Sequence, residues 1–179
     1  MAEVIDQSNT VAGDSWGFND VALHRASGQG FTPSLTAKIT KVELSLKKSG
    51  SPTGTLTLKI YADSGSDLPD NATLIADAAA TVAESSLTTS FAYYAFDLVD
   101  TLLNSGTKYW WKLTDNTADG TNLIFVESGG ASSTYPGGTG AQMDTSNAWA
   151  AQTDDFLFKE YYDDTTVVVA SGGLLLSDI

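Results

Sequence analysis

The feature that most constrains this chain is a recurring two-residue alternation of apolar and polar side chains. In "KVELSLKK", Val42, Leu44 and Leu46 alternate with Lys41, Glu43, Ser45 and Lys47. Successive side chains of a strand point to opposite faces, so this pattern describes a strand with one dry and one wet face. "TLTLKIYA" repeats it, with Leu56, Leu58 and Ile60 on one side and Thr57, Lys59 and Tyr61 on the other. "SGSPTG" between them supplies turn chemistry through Pro52, Gly50 and Gly54, so the pair is expected to form an antiparallel hairpin.

The same alternation returns in "SFAYYAFDLV", "TKYWWKLT", "NLIFVES" and "DFLFKEYY". The i, i+3, i+4, i+7 spacing of an amphipathic helix is hard to find anywhere. "ATLIADAAATVAESS" mixes alanines with Thr81 and Val82, and reads as short extended pieces. "GGASSTYPGGTGAQMDTSNAWAAQ" reads as a long loop, of a length that in compact domains is functional or mobile. Seven or eight strands with polar turns and no crossover helices predict an all-β fold. The expected form is an antiparallel, jelly-roll-like β-sandwich over residues 1–163.

Residues 164–179 form a tail, "TTVVVASGGLLLSDI" being its main part. Its two apolar triplets, Val167, Val168 and Val169 and then Leu174, Leu175 and Leu176, are candidate assembly contacts. They can close an edge of the chain's own sheet or add a strand to a neighbouring subunit.

At 179 residues the chain has the size of one domain, and its lack of cysteine excludes disulfides, thiolate metal sites and cysteine nucleophiles. A formal net charge of -13 argues against nucleic acid and against an anionic membrane surface, both of which need Lys and Arg. No apolar run approaches the ~20 residues that span a bilayer, and the first ten residues lack the layout of a secretory signal.

Chemistry is thinly signalled. His24 is the single histidine, without a second for a metal pair and without a serine elbow. The carboxylate pairs Asp154 and Asp155, Asp163 and Asp164, and Asp97 and Asp100 have no spacing that selects one for glycosidic chemistry. No organic cofactor is expected. "DNTADGTN" offers Asp115, Asn116, Asp119 and Asn122 as hard oxygen ligands for Ca²⁺, although turn formation explains the same residues.

The aromatics are better candidates. Tyr109, Trp111 and Leu113 share one apolar side of their strand and belong to the core, as do Tyr94, Phe96 and Leu98. Trp110 falls on the opposite face with Lys108 and Lys112, and Tyr61 lies beside Thr57 and Lys59. A flat aromatic next to hydrogen-bonding side chains can stack a sugar ring or anchor a protein partner. Alternatively, a loop or the segment carrying Trp16 and Phe18 lies over Trp110. Tyr135 and Trp149 in the glycine-rich stretch are further candidates for ligand or partner contact.

The run "FTPSLTAKITKVELSLKKSGSPTGTLTLKIYADSGSDLP", with "SGTKYWWKLTD" and "WAAQTDDFLFKEY" after it, resembles the choice-of-anchor R type of β-sandwich domain found in phage structural proteins and bacterial surface proteins. The resemblance implies a non-enzymatic module presented on a virion or cell surface, with other virion or surface proteins as oligomeric partners. Without a signal peptide, the fitting expectation is head decoration or a tail accessory of a tailed phage, made in the host cytoplasm. The alternative is an extracellular carbohydrate-binding module that uses the aromatics for glycan adhesion.

Overall fold

A computed structural model describes residues 3–18, 24–115, 121–130 and 135–166. Among them are thirteen strands: β1 (Glu3–Asn9), β2 (Asp14–Phe18), β3 (Ala26–Phe31), β4 (Ala37–Ser49), β5 (Thr55–Asp63), β6 (Pro69–Ala76), β7 (Val82–Ala83), β8 (Ala92–Leu103), β9 (Tyr109–Asp115), β10 (Leu123–Ser128), β11 (Gly140–Met143), β12 (Trp149–Ala151) and β13 (Phe158–Asp163). They form two antiparallel sheets packed as a β-sandwich, the fold class the alternation predicts.

One sheet is organised by β4, whose 13 residues are long enough to serve two partners along one edge. β13 pairs with its first part and β10 with its last, while β8 runs along the other edge. β1 and β2 then flank β13 and β10. The second sheet runs β12-β11-β3-β9-β5-β6, with β7 also on β5.

The core lies between the sheets and consists of the side chains that the alternation marks as apolar. Val42, Leu44 and Leu46 of β4 meet Leu56, Leu58 and Ile60 of β5, with Phe96, Trp111, Leu113 and Phe158 filling the space around them. All ten are at most 1% exposed.

β4 and β5 are not a hairpin. They belong to different sheets, and residues 50–54 carry the chain across the sandwich so that both dry faces look inward. The crossing is held by Gly50 at φ +78, by Asn122 Oδ1 accepting from the Ser51 amide at 2.7 Å, and by the buried Glu84 accepting from the Gly54 amide at 2.9 Å. Two consecutive half-apolar strands satisfy a hairpin and an arch equally, and only these distant contacts select the arch.

The glycine-rich stretch is also more ordered than its composition predicts, because β11 and β12 form a hairpin within it. Asp144 Oδ1 accepts from the Ser146 and Ala148 amides at 2.8 and 2.9 Å, and Asn147 takes the left-handed conformation at φ +67. The segment read as short extended pieces does form β6 and β7, followed by one 3₁₀ turn at Glu84–Ser86. The tail residues Val167, Val168, Val169, Leu174, Leu175 and Leu176 lie outside the described residues.

Candidate functional site

The outer face of the seven-stranded sheet is shaped by β3, whose sequence ASGQGF places Ala26, Gly28 and Gly30 outward and the larger Gln29 and Phe31 inward. A strand with almost no outward side chains leaves a trough, and neighbouring rings fill it. A Cβ at Gly30 would lie 3.2 Å from Trp110, and one at Gly28 would lie 3.2 Å from Trp149.

The two tryptophans differ in what covers them. Trp110 is fully buried, its indole N–H donating to Asp63 Oδ1 at 2.8 Å. Asp67 closes over this end of the trough, accepting from Thr139 Oγ1 at 3.0 Å and pairing with Lys108 at 2.7 Å. Trp110 is therefore covered by its own chain and corrects the expectation of a ligand platform. Trp16 does not provide the cover, since β2 pairs with β10 in the other sheet.

Tyr135 is likewise corrected. It is buried, its ring meets Phe158 edge-on at 5.2 Å, and its hydroxyl donates to Gln7 Oε1 at 2.6 Å. Burial raises its phenol well above the ordinary tyrosine value.

Tyr61 and Trp149 remain half-buried on the outer face. Register places Tyr61 beside Trp110 on β9, and Lys112 across from both Lys59 of β5 and Gly28 of β3. Tyr61 is level with Gly30 and thus lies two strand spacings across and two residues along the sheet from the Gly28 beneath Trp149, about 12 Å, with the Lys112 strand between them. The Lys112 ammonium lies 5.4 Å from the Tyr61 ring centre and 5.6 Å from that of Trp149, within reach of both π faces.

Asn71 of β6 completes the cluster. Its Oδ1 accepts from Lys112 Nζ at 3.0 Å and from the Trp149 indole N–H at 3.1 Å. Two donors to Oδ1 fix which end of the amide is the oxygen, so its NH₂ group is directed away from both. Lys59 pairs with Asp77 at 3.0 Å, whereas Lys112 has no carboxylate partner among the described residues. Burial, and then the neighbouring Lys59 charge, hold the Lys112 ammonium below the ordinary lysine value.

Asp154 and Asp155 have structural partners. Asp154 accepts from Trp16 Nε1 at 3.1 Å and Ser128 Oγ at 3.2 Å, and Asp155 from Gln29 Nε2 at 2.8 Å and the Tyr135 amide at 2.7 Å. Both carboxylates anchor the segment entering β13. Asp97, Asp100 and Asp163 share an open hollow with Glu3, but no group of three candidate ligands that could hold a metal occurs among the described residues. Of the Ca²⁺ candidates, Asn116 and Asp119 lie outside the described residues, Asp115 ends β9, and Asn122 pins the arch through Ser51.

Tyr61 was legible as a wet-face aromatic beside Lys59, and Lys112 by parity as a neighbour of Trp110, whereas Trp149 was legible only as a candidate within the glycine-rich stretch. Asn71 was not, because "DSGSDLPDN" reads only as a loop. The small outward residues of "ASGQG" were the available signal for the trough.

No protein-family model and no curated protein sequence matches the chain. Among solved structures it is similar to one described as a carbohydrate-binding module CBM36 in complex with calcium and xylotriose. That likeness has a TM-score of 0.33 and 12% identity, and covers 71% of this chain and 96% of that one. It is distant, and the β-sandwich assignment stands on the strand pairing itself.

Proposed function

We propose that this chain is a non-enzymatic carbohydrate-binding module whose ligand face is the outer surface of the seven-stranded sheet at Tyr61, Lys112, Asn71 and Trp149. The observation that carries the reading is the convergence of two half-exposed rings on one lysine, with Trp149 seated over Gly28 of β3. A pyranose presents an apolar C–H face and a rim of hydroxyls. Tyr61 and Trp149 match the first, and the Asn71 amide and Lys112 match the second.

The head-decoration or tail-accessory reading rests on the family resemblance and on an assembly tail outside the described residues. The glycan reading is preferred because the residues that support it, Tyr61, Asn71, Lys112 and Trp149, lie within the described part of the chain.

Titration with an immobilised glycan panel, followed by calorimetry on the best binder, tests it. Tyr61→Ala and Trp149→Ala are each expected to weaken binding about tenfold or more, the effect of losing a central aromatic anchor. Both residues are half-exposed, so melting temperatures are expected to move little. Unchanged affinity in both variants would remove the basis for this face.

A further inference from the structure

Lys59, Tyr61, Lys112 and Thr114 line a small cavity of about 80 Å³ beside the aromatic pair. A cavity of about 150 Å³ is needed to hold a six-membered ring the size of benzene. The cavity, about half that size, therefore admits a small substituent and not a sugar ring. Its donors are identifiable. Thr114 Oγ1 already gives its proton to the Thr57 carbonyl at 3.3 Å, which leaves the two ammonium groups as the hydrogen-bond donors among the charged and hydroxyl groups of the lining, apart from the Tyr61 phenol.

The charge there is not balanced. Among the described residues the two lysines have one carboxylate in an ion pair, Asp77, and its partner is Lys59. Asn71 solvates Lys112 through a neutral oxygen and both rings contribute π faces, but none of these neutralises it. A half-buried ammonium held this way gains most from an incoming oxyanion, because the partner offsets both its desolvation and the repulsion from Lys59. On a chain of net charge -13, this places a local positive site within a repulsive background.

We infer that Lys112 and Lys59 form an anion subsite that takes a carboxylate or sulfate substituent of an acidic glycan, while Tyr61 and Trp149 hold the sugar rings. This rests on the glycan reading for the ligand and on the lysine cavity for its charge, and the two can fail separately.

The test compares a galacturonate trimer, a sulfated galactose trimer and its unsulfated counterpart by calorimetry at low and high salt. Inorganic sulfate is titrated in parallel while the Lys112 and Lys59 side-chain resonances are followed. One or both acidic trimers are expected to bind about tenfold or more tightly than the neutral one at low salt, with the advantage shrinking at high salt. Lys112→Gln is expected to abolish that advantage, Lys112→Arg to retain it, and unchanged melting temperatures to show that both variants fold. The stronger of the two acidic trimers distinguishes carboxylate from sulfate.

Equal affinity for acidic and neutral trimers, unaffected by Lys112→Gln, overturns the anion subsite and leaves the glycan reading intact. Sulfate shifting the lysine resonances with no trimer bound supports the anion subsite and overturns the glycan reading. Failure of all four probes overturns both.

Discussion

Replacing Trp111 by alanine is expected to lower the unfolding free energy by about 3 to 5 kcal/mol, the cost of deleting a large aromatic from a packed core. The ring is fully buried, with Phe156 and Phe158 at centroid distances of 5.8 and 6.4 Å. For a domain of this size the loss corresponds to a fall in melting temperature on the order of 10 °C. Urea melts of the variant would check it through a lower midpoint at unchanged slope. Trp110→Ala is expected to cost a similar amount, although it points to the opposite face. An exposed platform residue would cost no more than about 0.5 kcal/mol, so this variant distinguishes a covered ring from a ligand platform directly.

Phenylalanine separates the two tryptophans further. The Trp111 indole nitrogen has no hydrogen-bond partner among the described residues, so Trp111→Phe removes an unsatisfied buried donor along with some packing. Trp110→Phe breaks the bond to Asp63 and leaves that carboxylate short of a donor. Trp110→Phe is therefore expected to be the more damaging of the pair, and the reverse order would mean that the Trp111 nitrogen is solvated.

The strand "TKYWWKLT" shows how far the sequence could be read. Parity assigns Tyr109, Trp111 and Leu113 to one side, and that side is the core. Parity also puts Trp110 with Lys112, but whether that face is dry depends on chain brought in from Asp63, Asp67 and Thr139, which no local pattern specifies. The same limit applies to β4 and β5. Alternation fixes which side of each strand is apolar, and both a hairpin and an arch satisfy it.

The site shares this division between local and distant information. Tyr61 and Lys59 alternate visibly with core residues, as Lys112 does in its own strand. Their approach to Trp149 follows from the β11–β12 hairpin, whose turn signal in "MDTSNAW" is spread over a stretch dominated by glycine, serine and threonine. Asn71 lies in the part of β6 where an irregularity interrupts the pairing with β5 between Tyr61 and Asp63, a feature that no local pattern specifies.

Glu160→Gln is expected to stabilise the protein near neutral pH while leaving it little changed at pH 4. Glu160 pairs with Val42 in β4 and with Gln7 in β1, so its side chain enters the sandwich interior, where it is 2% exposed and one carboxylate oxygen has no partner among the described residues. Burial, and then the Asp6 charge, push it up to about 8, against a lowering contribution from the Gln7 backbone amide. Tyr135, whose phenol is raised beside it, adds no positive charge.

The direction follows from proton linkage. Below the ordinary value of 4.5 both states carry the proton, and the folded state is not penalised. Between 4.5 and about 8 the unfolded chain releases the proton while the folded protein retains it, so stability falls as pH rises and levels off above about 8. At roughly 1.4 kcal/mol per pH unit, the loss at pH 7 is on the order of 3 kcal/mol. Glu3, lowered chiefly by its bond to Lys41, and Asp67, lowered chiefly by its bond to Lys108, act oppositely and lose their contribution as pH falls through their folded values.

Glutamine keeps the shape and the donor of the protonated acid without the titration. The difference in unfolding free energy between variant and parent is therefore expected to grow from near zero at pH 4 to its maximum near pH 8. Parallel stability profiles for the two proteins across that range would mean that Glu160 reaches water or a cation that this packing does not provide.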